Sequence, residues 1–250
     1  MKIWLLPFIA ALGSLFIYVT DSNRAVFAVL NQLGPLTGDW LWANLTVLGD
    51  TLVALALCLL LWRRRPDLVW AVLFAALLAT LWARGFKPLF DVARPPAVLE
   101  SLHVIGPAYK ASSFPSGHAT TVFTLAGILV LAFGWRSWAI GAVALAALVA
   151  ISRAAVGVHW PLDILAGAFG GWLAAAAGLW IANRTLAFGT RPWVQWTLGV
   201  VLVGCAAVLV IGHPRNDYPQ ADLFMRAIGL ACLFGAGARL NRDFRRRPGL

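Results

Sequence analysis

The sequence predicts an all-α fold, a polytopic transmembrane helical bundle of about eight spans. Three observations carry that expectation. Of the 250 residues, 61% are hydrophobic and 12% charged, whereas a soluble globular chain is about 45–50% apolar and about 25% charged. Apolar stretches close to the roughly 20 residues that cross a hydrocarbon core recur eight times. The arginines between them alternate sides and crowd one face. This composition excludes a soluble globular domain and a disordered chain alike. The 13 Trp and 23 Gly fit as well, since Trp anchors at membrane interfaces and Gly lets helices pack closely.

The first apolar stretch, 3–20, follows Lys2 and lacks a clear small-x-small cleavage site, so it reads as an uncleaved anchor. Residues 23–33 alternate loosely between apolar and polar, as an interfacial helix or an ordinary connection would. The second and third spans are 40–62 and 68–83. Residues 84–114 then form the longest connection, rich in Pro and Gly, and long loops of this kind are often functional. Three more spans follow at 115–133, 138–154 and 161–182. The last two are 193–212 and 223–238. The chain divides into a six-span core with its anchor, 1–192, and two additional spans with a basic tail, 193–250.

Charge orients the set. One side collects Lys2, Arg63, Arg64, Arg65, Arg136, Arg184, Arg191, Arg239, Arg242, Arg245, Arg246 and Arg247. The positive-inside rule makes that side cytoplasmic, with both termini in it. The net charge of +10 is therefore topological, and the triple-arginine runs attract anionic lipids rather than nucleic acid. The opposite side carries Asp21, Asp39, Asp50, Asp91, Glu100, Asp217 and Asp222, together with Lys87, Arg94 and Arg153. Flanking-charge logic does not account for those three cations. Cys58, Cys205 and Cys232 all lie in apolar runs and form neither a disulfide framework nor a metal cluster.

Three segments carry chemistry, and the topology puts all three at one membrane face. Lys87 is followed after six residues by Arg94-Pro95. Phe114-Pro115-Ser116-Gly117-His118 opens the fourth span. Ser152-Arg153, His159 and Asp163 run from the fifth span into the sixth. Ser113 is a plausible N-cap and Pro115 suits a first helical turn. Gly117 admits close approach to a helix N-terminus, which is itself an anion site. His118 stands in that first turn. Pro161 starts the sixth span, so His159 lies just before it and Asp163 one turn on; a carboxylate beside an imidazole fixes its tautomer and frees the other nitrogen. Arg153 supplies a fork for an oxyanion.

Taken singly, Lys87 or Arg94 reads as a snorkelling charge, and His159 with Asp163 as a structural pair. Jointly, three cations, a helix N-terminus, two histidines and a carboxylate suit a tetrahedral dianion, because phosphoryl transfer needs mostly positioning and charge stabilisation. A zinc site built from His118, His159 and Asp163 is opposed by the nearby cations. Asn44 and Asp50 read as interhelical hydrogen-bonding groups, with contact to the site the weaker alternative for Asp50. His103 and Lys110 read as loop residues contacting headgroups or solvent, and His213, Arg215 and Asp217 as solvated.

The pattern Lys87-xxxxxx-Arg94-Pro95, Pro115-Ser116-Gly117-His118 and Ser152-Arg153-xxxxx-His159-xxx-Asp163 resembles the signature of the type 2 phosphatidic acid phosphatase superfamily, over roughly residues 40–182. The resemblance implies a six-span core with its site near the outer interface. It makes His159 the nucleophile, Asp163 its orienting partner and His118 the general acid. Lys87, Arg94, Ser116, Gly117 and Arg153 would bind phosphate. No metal or cofactor is implied. The expected protein hydrolyses a lipid phosphate or diphosphate at the periplasmic face of a bacterial inner membrane. Candidate substrates are undecaprenyl pyrophosphate, phosphatidylglycerophosphate, phosphatidic acid and lipid A phosphates. Its partners are that substrate and membrane lipids, not nucleic acid. A lipid phosphotransferase using the same phosphohistidine, and a lipid transporter on the same fold, are the competing classes. The two extra C-terminal spans depart from the usual plan and carry no signature residue.

Overall fold

A computed structural model describes residues 4–245. Ile3 at the start of the first expected span, and the flanking charges Lys2, Arg246 and Arg247, lie outside the described residues. Among the described residues every regular element is a helix. In chain order the helices are α1 (Leu5–Val19), α2 (Asn23–Asn31), α3 (Leu33–Thr37), α4 (Asp39–Val47), α5 (Thr51–Cys58), α6 (Pro66–Gly85), α7 (Lys87–Phe90), α8 (Pro95–Val98), α9 (Gly117–Phe133), α10 (Ser137–Ala155), α11 (Pro161–Arg184), α12 (Leu186–Gly189), α13 (Pro192–Ile211) and α14 (Asp222–Arg245).

By length and apolarity five helical stretches can cross a membrane, and two bent pairs raise that to seven. The remaining expected stretch is the 17-residue apolar helix α9. This is a membrane protein. The local causes are ordinary ones. Pro66, Pro161 and Pro192 open α6, α11 and α13, where a missing N–H costs nothing.

Two spans differ from expectation. The stretch 40–62 is not one helix. It breaks after Val47, and α4 and α5 meet at 59°. The break has a chemical cause: Asp50 caps α5, accepting from the backbone N–H groups of Leu52 (2.7 Å) and Val53 (3.3 Å). After α1 the chain turns through 111° into α2 and α3. Helix α2 is anchored by Phe27, buried against Trp160 at 5.1 Å between ring centroids. Asn23 and Asn31 also hold it, bonding to Leu162 N (3.1 Å) and His103 O (2.8 Å). Residues 23–31 are therefore a helix and not an ordinary loop.

Helix α11 sits centrally against α9, α6 and α1. Thr124 of α9 donates to Gly171 O at 3.1 Å, a backbone approach that the small residues of α11 permit. At one end of the bundle the α5–α6 turn, the α9 terminus and the α11–α13 connection meet. There Trp62 Nε1 donates to Gln195 O (2.8 Å), Trp70 Nε1 to Thr185 Oγ1 (2.9 Å), and the Arg65 guanidinium lies 4.6 Å from the Phe133 ring centroid. This is the arginine-rich end. The 84–114 connection lies at the other end, where Trp160 Nε1 donates to Ala93 O (2.8 Å) and Ile105 N to Val156 O (3.1 Å). It contains the single-turn helices α7 and α8 instead of being structureless.

Candidate active site

The site is built where three helix termini converge. Helix α9 begins at Gly117 with Ser116 as its N-cap. This corrects the expectation that Ser113 would cap and Pro115 would sit in the first turn. Ser116 N donates to Asp163 O at 3.0 Å, which ties the start of α9 to the first turn of α11. Gly49, in the α4–α5 break, lies against His118: a Cβ on Gly49 would stand 2.8 Å from the His118 Cβ. The chain before α11 turns at Gly157, whose φ of +82° and closeness to His103 O (2.4 Å from a built Cβ) demand glycine.

That turn delivers His159, which is 2% exposed, to the cavity with Asp163, 1% exposed, behind it. His159 Nδ1 lies 3.2 Å from Asp163 Oδ2. The same oxygen accepts from Ser113 Oγ (2.5 Å) and Trp160 N (2.8 Å). Three donors thus hold one carboxylate oxygen, and the imidazole's Nε2 is left for the cavity. Burial, reinforced by Arg94, Arg153 and Lys87, holds the His159 imidazole well below its ordinary pKa. Burial thus favours the neutral ring.

The cations come from separate elements. Lys87 Nζ donates to Ser112 O at 2.5 Å. Arg94 spans the loop, with Nε to Ala111 O (2.9 Å) and Nη1 to Val158 O (3.2 Å). Arg153, at the end of α10, is 4% exposed. Backbone carbonyls, not carboxylates, fix the first two, so their charge is oriented without being neutralised.

A cavity of about 620 Å³ joins these groups. Lys87, Arg94, Gly117, His118, Arg153 and His159 all line it. From that polar end it runs between α5, α6 and α9, past Leu55, Cys58, Val72, Ala76 and Ile128. Ser116 is fully buried and does not line the cavity, and Asp163 reaches it only through His159. Among the described residues no cluster of His, Cys, Asp or Glu could hold a metal ion.

The sequence profile of the PAP2 superfamily matches residues 67–187, a stretch that contains all eight of these residues. A relative of 31% identity spans 161 residues: the putative undecaprenyl-diphosphatase YbjG of Escherichia coli, with 60% of this chain and 78% of the relative covered. The chain belongs to the PAP2 superfamily. The undecaprenyl-diphosphatase of Sulfolobus acidocaldarius is 29% identical over 172 residues, covering 64% of this chain and 75% of the relative. The crystal structure of Aquifex aeolicus LpxE superposes with a TM-score of 0.56 at 28% identity. It covers 63% of this chain and 94% of that one.

In this PAP2 protein, sequence reasoning missed several groups at the site. Ser113 is a partner of Asp163, not a helix cap. Thr46 and Tyr218 both hold Arg153. Asp50, for which contact with the site is the weaker sequence reading, lines the cavity with His213, and the two meet at 3.3 Å between Oδ1 and Nε2, so His213 is not simply solvated. Away from the cavity lining, His103 pairs with Asp39 at 2.6 Å, so it is not simply a solvated loop residue. Ser113 had a local signal, since it stands three residues before the N-cap in a conspicuous polar run. Thr46 and Tyr218 had none, because their roles depend on helices distant in sequence.

Proposed function

We propose that this chain is an integral-membrane lipid phosphatase acting on a lipid phosphate or diphosphate through a phosphohistidine on His159. The carrying observation is the cavity: a polar end with Lys87, Arg94, Arg153, His118 and His159 opens onto an apolar shaft. A charged headgroup and a hydrocarbon tail fit those two halves.

In this mechanism Lys87, Arg94, Arg153 and the N–H groups opening α9 hold the phosphoryl oxygens. His159 Nε2 attacks phosphorus, and Asp163 stabilises the charge that develops on the ring through Nδ1–H. The bond to the leaving oxygen breaks as His118 protonates that oxygen. Water then attacks the phosphohistidine, His118 takes its proton, and phosphate departs. Three fixed cations supply the charge stabilisation, so the reaction proceeds in EDTA. Relatives named undecaprenyl-diphosphatase favour an undecaprenyl diphosphate substrate. The arginine-rich end faces the cytoplasm by the positive-inside rule, which puts the cavity at the outer face of a bacterial inner membrane.

The test is phosphate release in detergent from a panel of lipid phosphates and diphosphates with EDTA present, wild type beside His159→Ala. Release by wild type that the variant loses supports the proposal. A variant as active as wild type removes His159 from the nucleophile's role. Release that requires added divalent metal overturns the metal-free mechanism.

A further inference from the structure

Arg153 is held in an unusual way for a buried cation. No carboxylate pairs with it among the described residues. Its Nη1 donates to two neutral hydroxyls, Thr46 Oγ1 on α4 and Tyr218 Oη at 2.9 Å. Its Nε is buried without a hydrogen-bond partner. A buried guanidinium left this way is poised for an anion, whereas a carboxylate would have neutralised it. Hydroxyl acceptors fix the fork in place and leave its full charge for a phosphate.

Tyr218 belongs to the loop joining α13 and α14, beyond the residues that match the family. It is 4% exposed, and the Arg153 guanidinium lies 5.9 Å from its ring centroid. The same loop reaches the second arginine as well. Asp217 Oδ1 accepts from Tyr109 Oη at 2.9 Å, and the Arg94 guanidinium lies 5.4 Å from the Tyr109 ring centroid. His213 meets Asp50 from the same loop, and its Nδ1 accepts from Arg215 N at 3.1 Å, which leaves Nε2–H to donate to the carboxylate. The loop is thus fastened at three places around the cavity mouth.

We infer that the α13–α14 loop completes the phosphate site, with Tyr218 as a positioning residue that aims Arg153. The two C-terminal helices are then part of the catalytic unit. This rests on the phosphatase mechanism above and extends it to a segment without signature residues.

The test is a double-mutant cycle of Tyr218→Phe and Arg153→Ala, read by kcat and KM for lipid-phosphate release and by the affinity for orthovanadate, a tetrahedral phosphate mimic. Phe keeps the buried ring and removes only the hydroxyl. Tyr218→Phe should weaken orthovanadate binding and lower kcat/KM by about tenfold, the scale of one hydrogen bond to a charged group. On the Arg153→Ala background it should cost nothing further. Equal losses on both backgrounds, or no loss on either, overturn the inference. If wild type releases no phosphate from any lipid yet binds orthovanadate in a Tyr218-dependent way, the hydrolytic mechanism fails and the positioning role stands. If wild type is active and Tyr218→Phe matches it, the reverse holds. Should Tyr218→Phe not fold, Tyr218→His, which keeps a ring and a polar atom, goes through the same cycle.

Discussion

Arginines stand at both ends of this bundle, and they do opposite things. At the end formed by the α5–α6 and α11–α13 connections they point outward over aromatic rings. Arg184 is exposed with its guanidinium 4.0 Å from the Trp180 ring centroid, and Arg191 is 5.3 Å from that of Phe188. Arg65 is satisfied by Asp67 at 2.6 Å. At the other end Arg94 and Arg153 point inward, held by carbonyls and hydroxyls and facing a cavity. One residue type lies at the surface at one end and lines a cavity at the other, where the proposed mechanism uses it to bind an anion. The distinguishing feature is where the charge faces: outward, or onto a carboxylate, at one end, and into a cavity with only neutral hydrogen-bond acceptors at the other.

The largest test of that difference is charge removal at each end. Arg153→Ala should lower kcat/KM for phosphate release by about 10²–10³-fold, the scale of losing one preorganised group that stabilises transition-state charge. Arg184→Ala should leave it within about twofold. Comparable losses at both ends would dissolve the distinction.

Glycines offer the same contrast. Gly157 and Gly134 both have φ near +80°, at +82° and +78°. A Cβ on Gly134 meets nothing within 4 Å, whereas one on Gly157 meets His103 O at 2.4 Å. Gly134→Ala should cost only backbone strain, about 1–3 kcal/mol, without changing turnover per folded molecule. Gly157→Ala should destabilise more and also displace His159, so its folded fraction loses activity. Melting temperature and phosphate release on the same samples check both parts.

Much of this was visible in the chain before any coordinates. The eight apolar stretches, and the three segments carrying Lys87, His118 and His159, rest on hydropathy and local spacing, which one sequence contains. What escaped depends mostly on contacts between distant segments. Asp50 is the local exception, a cap hidden inside an apolar stretch that accepts from the N–H groups of Leu52 and Val53. Tyr218 reaches a residue 65 positions away. Ser113 reads as a cap in the sequence because Ser before an apolar run usually is one; in the structure its hydroxyl donates to Asp163 instead. Ser113→Ala should therefore act on Asp163 and not on helix stability. We expect about a tenfold fall in kcat with KM little changed, for loss of one hydrogen bond to a charged acceptor. A fall in melting temperature with unchanged kcat would restore the capping role.

A pH response is expected from the cavity end. Because His159 is held below its ordinary pKa, the unfolded chain binds its proton more readily than the folded one. Stability should then be full above about pH 6.5 and decline as pH falls below it. His159→Gln should flatten that decline. In the proposed mechanism the acid limb that His159 contributes to kcat/KM should lie below pH 6.5, the ordinary imidazole value.

The smallest effect belongs to the satisfied pair at the arginine-rich end. Arg65 and Asp67 share two hydrogen bonds, Nε to Oδ1 at 3.0 Å and Nη2 to Oδ2 at 2.6 Å, and both side chains are about one-third exposed. Asp67 also lies in the first turn of α6, where a carboxylate favours the helix dipole. Water and salt screen both contributions, so Asp67→Asn should cost about 0.5–1 kcal/mol. The cost should shrink as ionic strength rises, and phosphate release should not change. Arg153 predicts the opposite pattern for its own removal: little salt relief, because its charge is buried, and a loss seen in catalysis. Melting temperature and turnover of both variants at low and high salt put the two ends on one scale. A salt-sensitive loss of turnover in Asp67→Asn would mean that the arginine-rich end is coupled to the cavity, and that its charges do more than fix topology.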